Sequence, residues 1–304
     1  MANDTPEQLV KYCTTDTAKK ILQSQSLRWS APHLFSDPFE LTHEAQLGFD
    51  PHVLLQAAIK MAAAMIFGKE PPQGNTPLIN AIRRWREDER FASPDEAEVV
   101  MKDLLSQVVD GRQKVIEHMM TEWRKYVRTM RIASFSAKPD NLSAWKQFSA
   151  NHSGVAIRFE AGENTSLPKP QKVVYKAVRP EISTLKEEMS VIMKGGQYVA
   201  QEHFLEKFIC KPLACTDEQE WRCFYHSQDT LGEESKPESE WFEDRRFERN
   251  DINAIYFGVS TPTAEKRAIF DLIKEKYGQA KIFQSKTIPG KYELEFERIT
   301  KAAR

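Results

Sequence analysis

Apolar residues follow two different periods along this chain. Before residue 51 and after residue 128 they alternate with polar residues or fall into short runs, as in strands. Between those limits they recur every three to four residues, as in amphipathic helices. In the first region "KYC" (Lys11 to Cys13) reads as a short strand, and Asp16 is placed to cap the helix "TAKKILQS". Leu27-Arg28-Trp29-Ser30 alternates as a half-buried strand, with Leu27 and Trp29 on one face. Pro32 ends it because proline has no ladder N–H, and Asp37-Pro38 opens a second turn in a loop pinned by Phe35 and Phe39.

The middle region predicts four helices, in "PHVLLQAAIKMAAAMIF", "NTPLINAIRRWREDERF", "SPDEAEVVMKDLLSQVV" and "GRQKVIEHMMTEWRKYVR". Ser93, with Pro94 behind it and Glu96 three positions on, caps the third. From Arg131 the pattern predicts a strand in "RIASFS" and a helix in "NLSAWKQFSAN" capped by Asp140 or Asn141. A strand entered through Gly154 and another in "QKVVYKA" follow, then a long helical stretch from about 180 to 211. "DEQEWRCFYH" and "INAIYFGVS" read as strands, "PTAEKRAIFDLIKEKYG" as a helix, and "AKIFQSK" and "YELEFERI" as closing strands. Residues 232–250 are charged without alternation and read as an exposed loop. The expectation is one α+β domain, 1–304, with a mixed-sheet core and an all-helical insertion at 51–128.

Composition narrows the class. With 40% hydrophobic and 10% aromatic residues the chain can bury a large core, and a net charge of −1 gives no global pull toward nucleic acid or anionic lipid. Cys13, Cys210, Cys215 and Cys223 form no C-x-x-C pair, which argues against zinc and a disulfide framework. The N-terminal residues lack the basic start and apolar run of a signal peptide. The most apolar segment, 53–67, is interrupted by Gln56 and Lys60 and is too short to span a bilayer. A cytoplasmic protein without a membrane partner is expected.

Candidate chemistry is concentrated in "EQEWRCFYH". On a strand, Glu218, Glu220, Arg222, Phe224 and His226 share one face, while Trp221, Cys223 and Tyr225 share an apolar one. Two carboxylates and a guanidinium within two residue repeats fit either a site or a solvated strand face in which Arg222 relieves the repulsion between the glutamates. Trp145 and Phe148 read as packing, and His152 and His226 as polar neighbours rather than bases. "IRRWRED" fits a nucleic-acid contact less well than a solvated helix face, because acids are interspersed. No glycine-rich phosphate loop, H-E-x-x-H or G-x-S-x-G pattern occurs, and no carboxylate spacing builds a nuclease metal site.

The ordered stretches "LRWSAPHLFSDPFE", "ASFSAKPDNLSAWKQFSANHSGVAIRFE", "DEQEWRCF" and "INAIYFGVSTP" resemble the bacterial family catalogued as domain of unknown function 2971. The resemblance covers nearly the whole chain outside the helical insertion. Ser36 stands where the family pattern has asparagine. More distantly, the element order resembles ADP-ribosyltransferase folds, especially the DNA-modifying toxin branch. There a first strand supplies a polar ligand contact and a late strand supplies the catalytic glutamate.

This second resemblance implies an enzyme that takes NAD as substrate, transferring ADP-ribose or releasing it to water. Glu220 would stabilise the oxocarbenium-like state at the ribose, as carboxylates do in glycoside cleavage, and Glu218 would address the acceptor. Tyr12 or Lys11 and Ser30 would hold the ligand, with Tyr12, Trp29 or Phe35 stacking on nicotinamide. Arg28 or Arg222 would meet the pyrophosphate, and Asp37 and Glu40 would join Ser30 around the cleft. The implied setting is a toxin or anti-phage effector acting on a protein or nucleic acid. The alternative is a non-catalytic binding or sensing module of a defence or toxin–antitoxin system. In either case the helical insertion offers a surface for a regulatory protein.

Overall fold

The structure, a computed structural model, describes residues 6–50, 52–195, 199–228 and 236–300. Among the described residues there are twelve strands: β1 (Gln8–Cys13), β2 (Ser26–Ser30), β3 (Met130–Ser136), β4 (Val155–Glu160), β5 (Gln171–Lys172), β6 (Val174–Lys176), β7 (Cys210–Pro212), β8 (Glu220–His226), β9 (Phe242–Arg246), β10 (Ile252–Phe257), β11 (Lys281–Thr287) and β12 (Leu294–Arg298). Seven helices accompany them: α1 (Thr15–Ser24), α2 (Val53–Phe67), α3 (Pro77–Glu87), α4 (Pro94–Thr129), α5 (Leu142–Phe148), α6 (Leu185–Lys194) and α7 (Thr263–Lys276).

Two compact units divide the chain: Met1–Glu40, Val127–Arg179 and Ile209–Arg304 form one, and Leu41–Tyr126 with Pro180–Phe208 the other. The first is α+β around a mixed ten-stranded sheet with the order β12-β11-β10-β4-β1-β3-β2-β9. β3 is its hub. One edge of β3 meets β1 at Val10↔Ser136 and β2 at Ser30↔Ile132, and β8 pairs with it from Met130↔His226 to Ser136↔Glu220. One sheet face carries Leu9, Leu27, Trp29, Phe135, Ile157, Phe159, Trp221 and Ile255, buried under Ala18, Ile21 and Leu22 of α1 and Ile269 and Ile273 of α7. The Tyr277 hydroxyl donates to the Leu22 carbonyl at 2.9 Å and ties the two helix ends together. The opposite face carries Val10, Tyr12, Ala156 and Tyr256 against Ala144 and Trp145 of α5. Gly154 admits β4 to this sheet: a Cβ there would stand 2.3 Å from the Cys13 carbonyl oxygen.

The second unit is helical. α2, α3 and α6 pack together, Trp123 of α4 stacks on Phe208, and Arg112 reaches the fully buried Glu188 at 2.5 Å. No helix among the described residues is long and apolar enough to cross a membrane.

Several local expectations are corrected. Thr14, not Asp16, caps α1: its hydroxyl accepts from the Thr17 N–H, while Asp16 sits in the first turn and pairs with Lys19. Asn141 rather than Asp140 caps α5. The third and fourth helices are one 36-residue α4, since Gly111 alone costs about 1 kcal/mol and cannot end it. The helical stretch expected at 180–211 is α6 followed by two 3-10 turns, Ala200–His203 and Leu205–Ile209, because Gly195 adopts the left-handed conformation of a C-cap. Within 232–250, where a loop was expected, β9 pairs with β2; residues 232–235 lie outside the described residues. An edge strand needs only one apolar face, and charge on the other blunts unwanted pairing.

Candidate functional site

β8 and β3 lie side by side, so the register fixes which side chains meet. Ser136 is opposite Glu220, Ser134 opposite Arg222 and Ile132 opposite Phe224. Ser30 is paired to Ile132, which puts it on the same face as Glu220 and Arg222. Trp221 and Cys223 point into the core on the other face, so the polar residues of this strand are confined to one side.

That side holds a buried ion network. Arg222, 1% exposed, donates from Nη1 and Nη2 to the Glu40 carboxylate at 2.7 and 2.9 Å, a bidentate pair. Its Nε donates to Glu220 Oε1 at 2.8 Å. Lys211 Nζ lies 2.5 Å from Glu218 Oε2 and 3.3 Å from Glu220 Oε2. Three carboxylates therefore share two cations, and all three acids are buried. The Tyr175 hydroxyl accepts from the Glu220 backbone N–H at 2.8 Å.

Burial alone would push the Glu220 carboxyl up. Arg222, Lys211 and a hydrogen bond from Ser134 outweigh it and hold Glu220 below the usual carboxylate range. Burial likewise favours neutral Lys211, but Glu220 and Glu218 keep it protonated well above the usual lysine range. Burial pushes the Tyr175 hydroxyl up to about 12, so it remains a phenol. Ser136 Oγ is buried and has no hydrogen-bond partner among the described residues, although it faces the same side as Glu220. Buried hydroxyls are ordinarily paired, which marks this one as open to a ligand or water.

The residues singled out from the sequence are distributed as follows. Glu220, Arg222 and Glu40 are in the network, and Phe35 covers it, with its ring centroid 5.6 Å from the Arg222 guanidinium carbon. Glu218 reaches it from a 3-10 turn, Leu213–Glu218, rather than from the strand expected at 218–226. Gln219, left-handed at φ 46°, makes the change of direction. Asp37 neighbours this turn, since its charge acts on Cys215 together with those of Glu218 and Lys211. Its own carboxylate also accepts from the Phe39 N–H in a tight turn.

Other candidates are engaged elsewhere. The Tyr12 hydroxyl donates to the Lys138 carbonyl and accepts from the Asn141 N–H, and its ring packs edge-on against Trp145. Asn141 Nδ2 in turn donates to the carbonyls of Asp217 and Glu218. Tyr12 thus supports the turn that carries Glu218, and a stacking role is corrected to a bracing one. Trp29 lies on the core face against Tyr225, away from Glu220. Arg28, exposed, pairs with Asp244 of β9 and covers Phe242, so it is not brought to the network. Arg222, expected at a pyrophosphate, instead directs its donors to two carboxylates, as a guanidinium buried among acids must. Lys11 donates to the Ser134 carbonyl between the points where β1 and β2 leave β3.

Lys211, Ser134, Ser136 and Tyr175 are the participants the sequence reading missed. Lys211 fell in a presumed helix, and the two serines alternate visibly in "RIASFS" but are too common a residue type to stand out. Searches against protein-family models, curated proteins and solved structures returned no match.

Proposed function

We propose that this chain is an NAD-consuming enzyme of the ADP-ribosyltransferase type, with the nicotinamide-bearing ribose taken up beside Glu220 and Ser136. The observation that carries this reading is a buried hydroxyl without a partner among the described residues, Ser136 Oγ, across the strand pair from a carboxylate held ionised, Glu220. A ribose diol supplies both the donor such a carboxylate accepts and the partner the serine lacks.

In the reaction the C–N bond to nicotinamide breaks and its electron pair leaves with the nicotinamide nitrogen. The positive charge left at the ribose is stabilised by the Glu220 carboxylate. Water or an acceptor hydroxyl then adds to the anomeric carbon, and Glu218 takes its proton. Lys211, bonded to both glutamates, must release one as the ligand enters. The resemblance to transferase-type toxin folds supports a macromolecular acceptor and a toxin or anti-phage role.

A second reading rests on Arg222. Its guanidinium is committed to Glu40 and Glu220, which suits an ion network that holds a non-catalytic binding module together. Incubating the purified protein with NAD labelled in its adenosine moiety, with a cell extract as acceptor, separates the two. Free nicotinamide with macromolecule-bound label supports transfer, and nicotinamide alone supports hydrolysis. Neither product, in the presence of calorimetric NAD binding, would favour the module.

A further inference from the structure

α4 carries one broad apolar stripe. Leu105, Val109, Ile116 and Trp123 are buried within the fold, as are Ala97 and Met101 near the start of the helix. The margin of the stripe leaves Leu104, Val108 and Val115 exposed by 49%, 49% and 47%. With Gly111 these residues are spaced four, three and four apart, the spacing of a two-helix seam. A Cβ placed on Gly111 would meet nothing within 4 Å, so the helix backbone is open to close approach there.

The charges along α4 name its partner. Residues 94–110 carry five acids against one lysine, and residues 111–129 carry five arginines and lysines, of which Arg112 is engaged with Glu188, against two glutamates. A helix polarised in this way is complementary to itself when reversed. We propose that two copies of this chain associate through α4 in antiparallel fashion, about a two-fold axis between Val108 and Gly111. Leu104 then faces the partner copy's Val115, and Val108 faces its Gly111. Lys114 of each copy comes level with the turn of Asp103 and Gln107 on the other, so charge fixes the direction and the apolar seam supplies the adhesion. The inference does not depend on the NAD reading.

Sedimentation velocity over a concentration series tests it, with the full chain and its variants checked for helicity by circular dichroism. The wild type is expected to reach twice the 35.1 kDa chain mass. Val108→Glu places a charge in the seam and is expected to give a folded monomer. Asp103→Lys and Lys114→Glu set like charges against each other across the axis, and each is expected to weaken the dimer about tenfold. Combined in one chain they restore opposite charges, and affinity should return to within a few-fold of wild type. A monomeric wild type at the highest soluble concentration overturns the proposal. So does a dimer that persists in folded Val108→Glu, or a charge-swapped double variant no tighter than its parents.

Discussion

Replacing Glu40 with glutamine keeps its shape and removes the charge that faces Arg222. Both side chains are almost fully enclosed, 3% and 2% exposed, and their pairing is bidentate. Removing one partner of such a pair strands a charge in a low-dielectric setting and typically costs about 3–5 kcal/mol. Arg222 retains Glu220, so the lower end, about 3 kcal/mol, is expected. For a unit of this size that corresponds to a fall in melting temperature of roughly 6–12 °C. The assay is urea denaturation of wild type, Glu40→Gln, Arg222→Met and the double variant, read as a double-mutant cycle. Coupling of about 1.5 kcal/mol or more is expected, because the second substitution removes the charge orphaned by the first. A loss below about 0.5 kcal/mol in Glu40→Gln, or strictly additive effects, would show that the pair behaves as a solvated surface contact. The loop from Ala31 to Glu40 would then not be held by this network.

Further outcomes follow from the same region. Glu220 is held below its usual range in the folded state, so the unfolded chain binds more protons near its ordinary value of 4.5. Stability should therefore fall as pH drops below that value, and Glu220→Gln should flatten this part of a pH–stability curve; an unchanged slope refutes the assignment. Ser136→Ala removes a buried unsatisfied hydroxyl and is expected to raise stability by about 1 kcal/mol while lowering NAD turnover. Parallel denaturation and nicotinamide-release assays check it, and a loss of stability contradicts it. Gln219→Val forces a β-branched residue into the left-handed conformation and should cost about 1–2 kcal/mol, whereas Gln219→Gly should be tolerated; thermal melts of the pair decide. Glu220→Gln is expected to lower nicotinamide release about 100-fold or more, with Glu218→Gln losing transfer in preference to release.

What could be read from the sequence was what local pattern encodes. Period-2 alternation identified β2 and β8, and a short apolar run identified β10, which is buried on both faces. β9 escaped because Glu243, Asp244, Arg245 and Arg246 carry no apolar alternation, and its pairing with β2 is supplied by a distant segment. Glu218 was placed on the strand because spacing alone does not reveal the left-handed turn at Gln219. Lys211 was hidden in a run with helical periodicity, which the Gly195 cap interrupts. The bond between Glu40 and Arg222 spans 182 positions, and no periodicity reports a contact of that range. The motif resemblance brought the two residues together on paper, but not their bidentate geometry.

The hub position of β3 also has a bearing on biosynthesis. β1 and β2 precede their partners in the chain: among the described residues β1 pairs with β3 and β4, and β2 with β3 and β9. The segment 41–126 is translated in between. Glu40 then waits for Arg222, and at roughly 5–20 residues per second that interval is about 10–35 s. Until β3 follows at Met130–Ser136, Leu27 and Trp29 lack the sheet that buries them, and until β8 follows at Glu220–His226 the other edge of β3 is unpaired. Nascent chains stalled within this window should be substrates for ribosome-associated chaperones, and truncation before β8 should yield an aggregation-prone product.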